Sequence, residues 1–160
     1  RIIIPKEIRQ FLNIRENEPL EISVMERGIY IEKYQPLQTL ESLCEQYLTV
    51  LFKSCNIACA VCSNEQIIRS KGISLSTGQL LSAPLRKGIQ NLETYHYSEE
   101  SPLRVFDDSK YLLDSVYPVG SKEQPLGAVI LLHYRSTTPE ERCCAKLIAD
   151  ILTELTINQS

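Results

Sequence analysis

Pro5 limits what the start of this chain can become more than any other residue. It closes the β-branched run Ile2-Ile3-Ile4, it has no N–H to give to a sheet, and its fixed φ suits the first position of a helix. An extended segment must therefore hand over at Pro5. Lys6 to Leu12 then reads as a short helix with Ile8, Phe11 and Leu12 on one side. Arg1, Lys6, Arg9 and Arg15 stand against one acid, Glu7, in this stretch. A strand turning into a short helix beneath a small basic patch can contact phosphates.

The segment that follows sets the size of this first unit. Asn13 to Glu18 is a polar turn, and Pro19 to Glu26 alternates Leu20, Ile22 and Val24 against Glu21 and Ser23, as a half-buried strand does. Arg27-Gly28 is expected as a hairpin turn, with Ile29 to Tyr34 as the return strand and Pro36 closing the unit. About 35 residues cannot bury a core alone, since domains below ~40 residues need metals, disulfides or oligomerisation. An obligate dimer is the expectation. The chain of 160 residues carries a net charge of −3, which by itself argues against nucleic acid. Charge distribution matters more than the sum: Glu16, Glu18, Glu21 and Glu26 follow the basic residues and confine positive charge to one end.

Beyond Pro36 the pattern changes. Leu40 to Asn56 reads as a helix whose apolar side is Leu40, Leu43, Tyr47, Val50, Leu51 and Ser54, with Cys44 beside them. Ile57–Cys62 and Gln66–Ser70 are short strands around a polar turn. Ala83–Gln90 is a short helix opening at Pro84, Glu93 to Ser109 has no clear period, and Ser115–Val119 with Leu126–Tyr134 form a hairpin. The last helix starts at Thr138 as N-cap, with Pro139 next and Glu141 placed to close a capping box. Its apolar side is Cys144, Leu147, Ile148, Ile151, Leu152 and Leu155. Consecutive strands between terminal helices imply an α+β fold, an antiparallel sheet with helices on one face.

Six cysteines, Cys44, Cys55, Cys59, Cys62, Cys143 and Cys144, sit in apolar periodic segments, as buried free cysteines often do. No apolar run reaches ~18 residues, no signal-peptide pattern is visible, and a reduced, cytoplasmic protein is the simplest expectation. Cys59-x-x-Cys62 invites a metal or redox reading, but residues three apart on a strand face opposite sides, and no second pair supplies further ligands. Adjacent Cys143 and Cys144 diverge by ~100° on a helix. No cofactor, metal centre or catalytic set is expected. His133 reads as a strand-face or sheet-edge residue and His96 as part of a surface loop. Tyr95, His96, Phe106, Tyr111 and Tyr117 could surround a small molecule; a core filled by side chains is the equal alternative.

RIIIPKEIRQFLNIRENEPLEISV, followed by a turn and IYIEKYQP, resembles the AbrB-type swapped-hairpin DNA-binding domain of bacterial transition-state regulators, and in particular members that join it to a GAF-like domain. The resemblance covers Arg1 to about Pro36 and continues more weakly to PLGAVILL, Pro125 to Leu132. Arg1 falls inside the family pattern, so the resemblance places a further strand and a basic arm before it. It implies a DNA-binding domain over 1–36, a GAF-like sensing or oligomerising domain over 37–160, and a sequence-specific regulator of sporulation genes that acts as a homo-oligomer (dimer or tetramer) with a possible small-molecule effector and no membrane partner. In the family, basic residues matching Arg1 and Arg9 contact DNA; Lys6 and Arg15 join them here. Gln10 stands where a second Arg is common. It can hydrogen-bond a base edge or a phosphate but releases no counterion. Two alternatives stay open: a small-molecule sensor whose N-terminal unit only oligomerises, and a thiol-dependent reductase of GAF fold.

Overall fold

The handover at Pro5 takes place as its ring requires. A computed structural model describes residues 1–157. In it Arg1–Ile4 leads in without strand pairing, and Pro5 is the N-cap of helix α1 (Lys6–Phe11), with φ −55° and ψ 146°. The helix stops where Asn13 adopts the left-handed conformation at φ 53°; the Ile14 N–H then bonds the Arg9 carbonyl at 2.8 Å and the Asn13 N–H the Gln10 carbonyl at 3.1 Å, which satisfies carbonyls a helix end leaves open. Strands β1 (Leu20–Met25) and β2 (Gly28–Lys33) form an antiparallel hairpin. Met25 pairs with Gly28, so the two-residue turn is Glu26-Arg27, with Glu26 at φ 32°. The turn expected at Arg27-Gly28 is thus one residue early, and Gly28 opens β2. The unit Arg1–Gln35 leaves its apolar side chains in the open: Phe11 is 88% exposed and Val24 80%.

The larger unit begins at Pro36. It comprises α2 (Pro36–Thr39), α3 (Glu41–Cys55), β3 (Cys59–Ser63), β4 (Ile67–Lys71), α4 (Ala83–Gln90), β5 (Tyr95–His96), β6 (Leu113–Gly120), β7 (Pro125–Leu132) and α5 (Pro139–Ile157). The strands make one antiparallel sheet in the order β4-β3-β7-β6-β5. Its central strands are covered on both faces, and side chains sort between two cores by the strand period of two. Cys59, Val61, Tyr117, Val119, Val129 and Leu131 face α3 and α5. Ala60, Cys62, Val116, Ala128 and Ile130 face the other way, toward Leu85 and Ile89 of α4. The expectation of helices on one face is therefore corrected: two helices cover one face and α4 the other.

Helix α3 follows the expected span, and Leu40, Cys44, Tyr47 and Leu51 of its expected apolar side do enter the core, but the stripe is rotated toward Leu48. Cys44, Leu48 and Leu51 are buried, while Val50 is 62% exposed and Ser54 is exposed. The helix has two apolar stripes, and the sheet takes one. Helix α5 buries Ala145, Ala149, Leu152 and Thr156, leaving Leu147 and Cys144 outside. Its start matches the capping box: the Glu141 N–H donates to Thr138 Oγ1 and the Thr138 N–H to Glu141 Oε1, both at 3.2 Å. The aperiodic stretch after α4 contributes the two-residue β5, paired with Val116 and Ser115 at the edge of the sheet.

Gly127 is the tightest point of this packing. A Cβ there would run into the Cys62 carbonyl on the paired strand and the Leu37 side chain, in the centre of the sheet where neither can yield cheaply. Gly127→Ala should destabilise the fold by about 3 kcal/mol, read as a lowered midpoint in urea or thermal unfolding.

Candidate functional site

The four basic residues fall where a short helix and its exit loop present them. Lys6 and Arg9 are three apart on α1 and share a face; Arg1 lies in the lead-in and Arg15 in the loop. All four are exposed. Among the described residues none of the four side chains takes part in an ion pair or hydrogen bond within the chain. Glu18, three residues on from Arg15, is engaged elsewhere. It accepts the Arg15 backbone N–H at 2.7 Å and pairs with Lys33 at 3.4 Å. The Lys33 ammonium also donates to the Asn13 carbonyl at 2.9 Å. The two side chains of this pair are mostly buried, and its effect is positional, since β2 holds the loop in place and leaves the Arg15 guanidinium for an outside anion. Gln10 is exposed on the same helix.

In the larger unit the aromatic residues expected around a ligand are separated by the sheet. Tyr95, Phe106 and Tyr111 belong to the α4 side. Tyr117 belongs to the α3–α5 side, and the Tyr117 hydroxyl meets His96 Nε2 at 3.4 Å. His96 is thus a residue of strand β5, not of a loop. Phe106 is a packing residue, 3% exposed among Leu81, Leu85, Leu113 and Val105. Tyr95 lines a cavity of about 170 Å³ between α4 and the sheet, with Leu85, Glu93, Thr94, Leu103 and Val116. The Tyr95 hydroxyl is held by the Leu103 N–H at 3.0 Å. Glu93 and Thr94 were not singled out from sequence, because the stretch around them has no period.

A second polar group closes the sheet's far end. Asp114, 5% exposed, sits at a bulge in β6, accepts from the Thr137 hydroxyl at 2.9 Å and lies 3.7 Å from His133 Nδ1. Tyr97 stacks on the His133 ring at 3.6 Å between centroids. His133 follows directly on β7, with its N–H on the Leu112 carbonyl, so it stands at the end of the central strand and not at the expected sheet edge.

The thiols divide by burial. Cys59 lies on the α3–α5 side and Cys62 on the α4 side, as strand geometry demands, so the two cannot share a ligand. Burial pushes the Cys44 thiol up to about 11 and the Cys59 and Cys62 thiols up to about 12. At neutral pH these are packed thiols, not nucleophilic thiolates. Cys143 and Cys144 are exposed and Cys55 half-buried, which corrects the expectation that the six are core residues. No helix among the described residues is long and apolar enough to cross a membrane.

Residues 1–39 match the family model described as antidote-toxin recognition MazE, bacterial antitoxin, and the N-terminal unit is of this MazE/AbrB type. Over 145 residues the chain is 28% identical to stage V sporulation protein T of Bacillus subtilis (strain 168), across 88% of this chain and 82% of that protein.

If Phe106 fills core and lines no binding site, Phe106→Ala should cost roughly 3–5 kcal/mol of stability. Denaturant unfolding reads this directly, and a variant as stable as the parent would show that the ring is not packed.

Proposed function

We propose that this chain is a DNA-binding transcriptional regulator of sporulation genes that works as a homo-oligomer. One observation carries the reading: Arg1, Lys6, Arg9 and Arg15 are exposed and unpaired within the residues that match the MazE model. Cations with no partner inside the chain are free to neutralise phosphates, and each one that does so releases counterions. The relative named stage V sporulation protein T supports the assignment to sporulation.

The apolar surface of the small unit supports the homo-oligomer. Ile2, Ile3, Ile8, Phe11, Val24 and Ile29 are all exposed in one copy, and a two-stranded hairpin is marginal alone. A second copy interleaving its hairpin would bury these residues and double the basic surface. We read 1–36 as the DNA-binding domain and 37–160 as a GAF-like domain. The support for the latter is its order of helix, two strands, short helix, three strands and helix around one antiparallel sheet. A DNA-binding role places the protein in the cytoplasm.

The full chain should bind duplex DNA with an affinity that falls steeply with salt, the logarithmic slope being close to −0.9 per phosphate neutralised. Arg9→Ala should weaken binding several-fold and lower that slope by about one, measured by fluorescence anisotropy across a salt series. Salt-independent binding, or an Arg9→Ala protein identical to the parent, would overturn the reading.

The cavity beside Tyr95 favours a second role for the larger domain, the sensing of a small effector. A ligand that binds only the folded state at a hundred times its Kd adds about 2.7 kcal/mol of stability. A thermal-shift panel of nucleotides, amino acids and other metabolites should show one such stabilisation, and Tyr95→Ala should abolish it. A flat panel would leave the domain an oligomerising one.

A further inference from the structure

We propose that Cys55 and Cys144 form a peroxide-oxidised pair whose disulfide locks α3 to α5. The two residues are far apart in sequence, Cys55 ending α3 and Cys144 lying near the start of α5. Along α3 the inward stripe runs Cys44, Leu48, Leu51 and then Cys55, which packs at its margin. Along α5 it runs Ala145, Ala149 and Leu152, with Ile148 beside it. Both stripes enter one core, and a bridge between their ends requires Cα atoms about 4.4–6.8 Å apart.

Arg135 fixes the register of these two ends. Its guanidinium donates to the Cys55 carbonyl at 2.7 Å and forms a two-pronged pair with Glu141 at 3.1 and 2.7 Å. Glu141 is itself tied into the capping box with Thr138. The last turn of α3 and the first turn of α5 are thus held by one residue, and Cys144, three residues on from Glu141, shares that face of α5. Burial raises the Cys55 pKa first, and the neighbouring Cys144 raises it further.

Access decides the order of events. Cys144 is exposed and Cys55 half-buried, so a hydroperoxide meets Cys144 first. The Cys144 thiolate attacks a peroxide oxygen: an S–O bond forms, the O–O bond breaks, and the departing oxygen leaves as water or an alcohol after taking a proton. Cys55 then attacks the sulfenic sulfur. The S–S bond forms, the S–O bond breaks, and the hydroxide leaves as water with the Cys55 proton. Two thiols are oxidised and one peroxide is reduced. Cys59, also near Cys55, does not compete, because it is fully buried and its thiol stays protonated.

The test is to treat the full chain with a small excess of hydrogen peroxide, alkylate the remaining thiols and map the peptides. The expected product links the Cys55 and Cys144 peptides within one chain, raises the midpoint of thermal unfolding and reverts with dithiothreitol. Cys55→Ser should stop at a sulfenic acid on Cys144 that dimedone traps, and Cys143→Ser should behave as the parent. Retention of all six thiols, a Cys144–Cys144 link between copies, or a disulfide that survives in Cys144→Ser would each overturn the proposal.

Discussion

The larger unit depends on one non-local event, the pairing of β3 with β7. These strands lie far apart in the chain, yet Cys59 to Ser63 pairs residue by residue with Leu131 to Gly127. Bringing them together costs loop-closure entropy, and the return is a pair of strands covered on both faces. Once they are joined, α3 and α5 have a surface to pack on, and α4 has the opposite one. Small residues make the junction possible. Ala60, Ala128 and Gly127 keep the centre of the sheet thin where Leu37 presses from one side. The β6–β7 hairpin is the local step and β3–β7 the step that commits the fold.

The small unit follows a different logic. It has local structure in full: a proline N-cap, a left-handed Asn13 at the helix end and a registered hairpin. What it lacks is anything to bury those elements against. Its apolar and its basic residues are therefore exposed for unlike reasons. Isoleucines in water are a cost that a second copy can remove, whereas arginines in water are stable and wait only for an anion. The coexistence of the two on a short helix fits a surface that must bind both itself and a polyanion.

Much of this was legible in the sequence, and the failures have specific causes. Cys59 and Cys62 were placed on opposite faces correctly, because the strand period is exact over so short a run. The capping box at Thr138 and Glu141 was equally clear, since the bonds involve side chains three residues apart. Arg27-Gly28 reads as the hairpin turn because glycine tolerates a positive φ, but Gly28 does not use one and Glu26 does, so the turn is Glu26-Arg27. The apolar side of α3 is right at Leu40, Cys44, Tyr47 and Leu51 and wrong at Val50, which is as apolar as Leu48 yet lies outside the core. Periodicity reports that a stripe exists and not what covers it. The aromatic residues Tyr95 to Tyr117 look like one cluster in sequence because β5 is only two residues long, too short for a pattern to show that Tyr95 and His96 alternate between faces.

The same sheet geometry explains why one chain holds thiols of two kinds. Cys44, Cys59 and Cys62 sit where helices and strands meet broadly, and desolvation keeps them protonated. Cys55 and Cys144 sit where the α3–α5 seam runs out, one at the last turn of its helix and the other in the first turns of the next. A helix end is where packing gives way to solvent, so thiols there keep both a close neighbour and a path for a small oxidant. Arg135 matters at that point because it carries the ordering forces of the seam beyond the apolar contacts. With its guanidinium on the Cys55 carbonyl and the Glu141 carboxylate, the two helix ends stay in register even though little hydrophobic surface holds them.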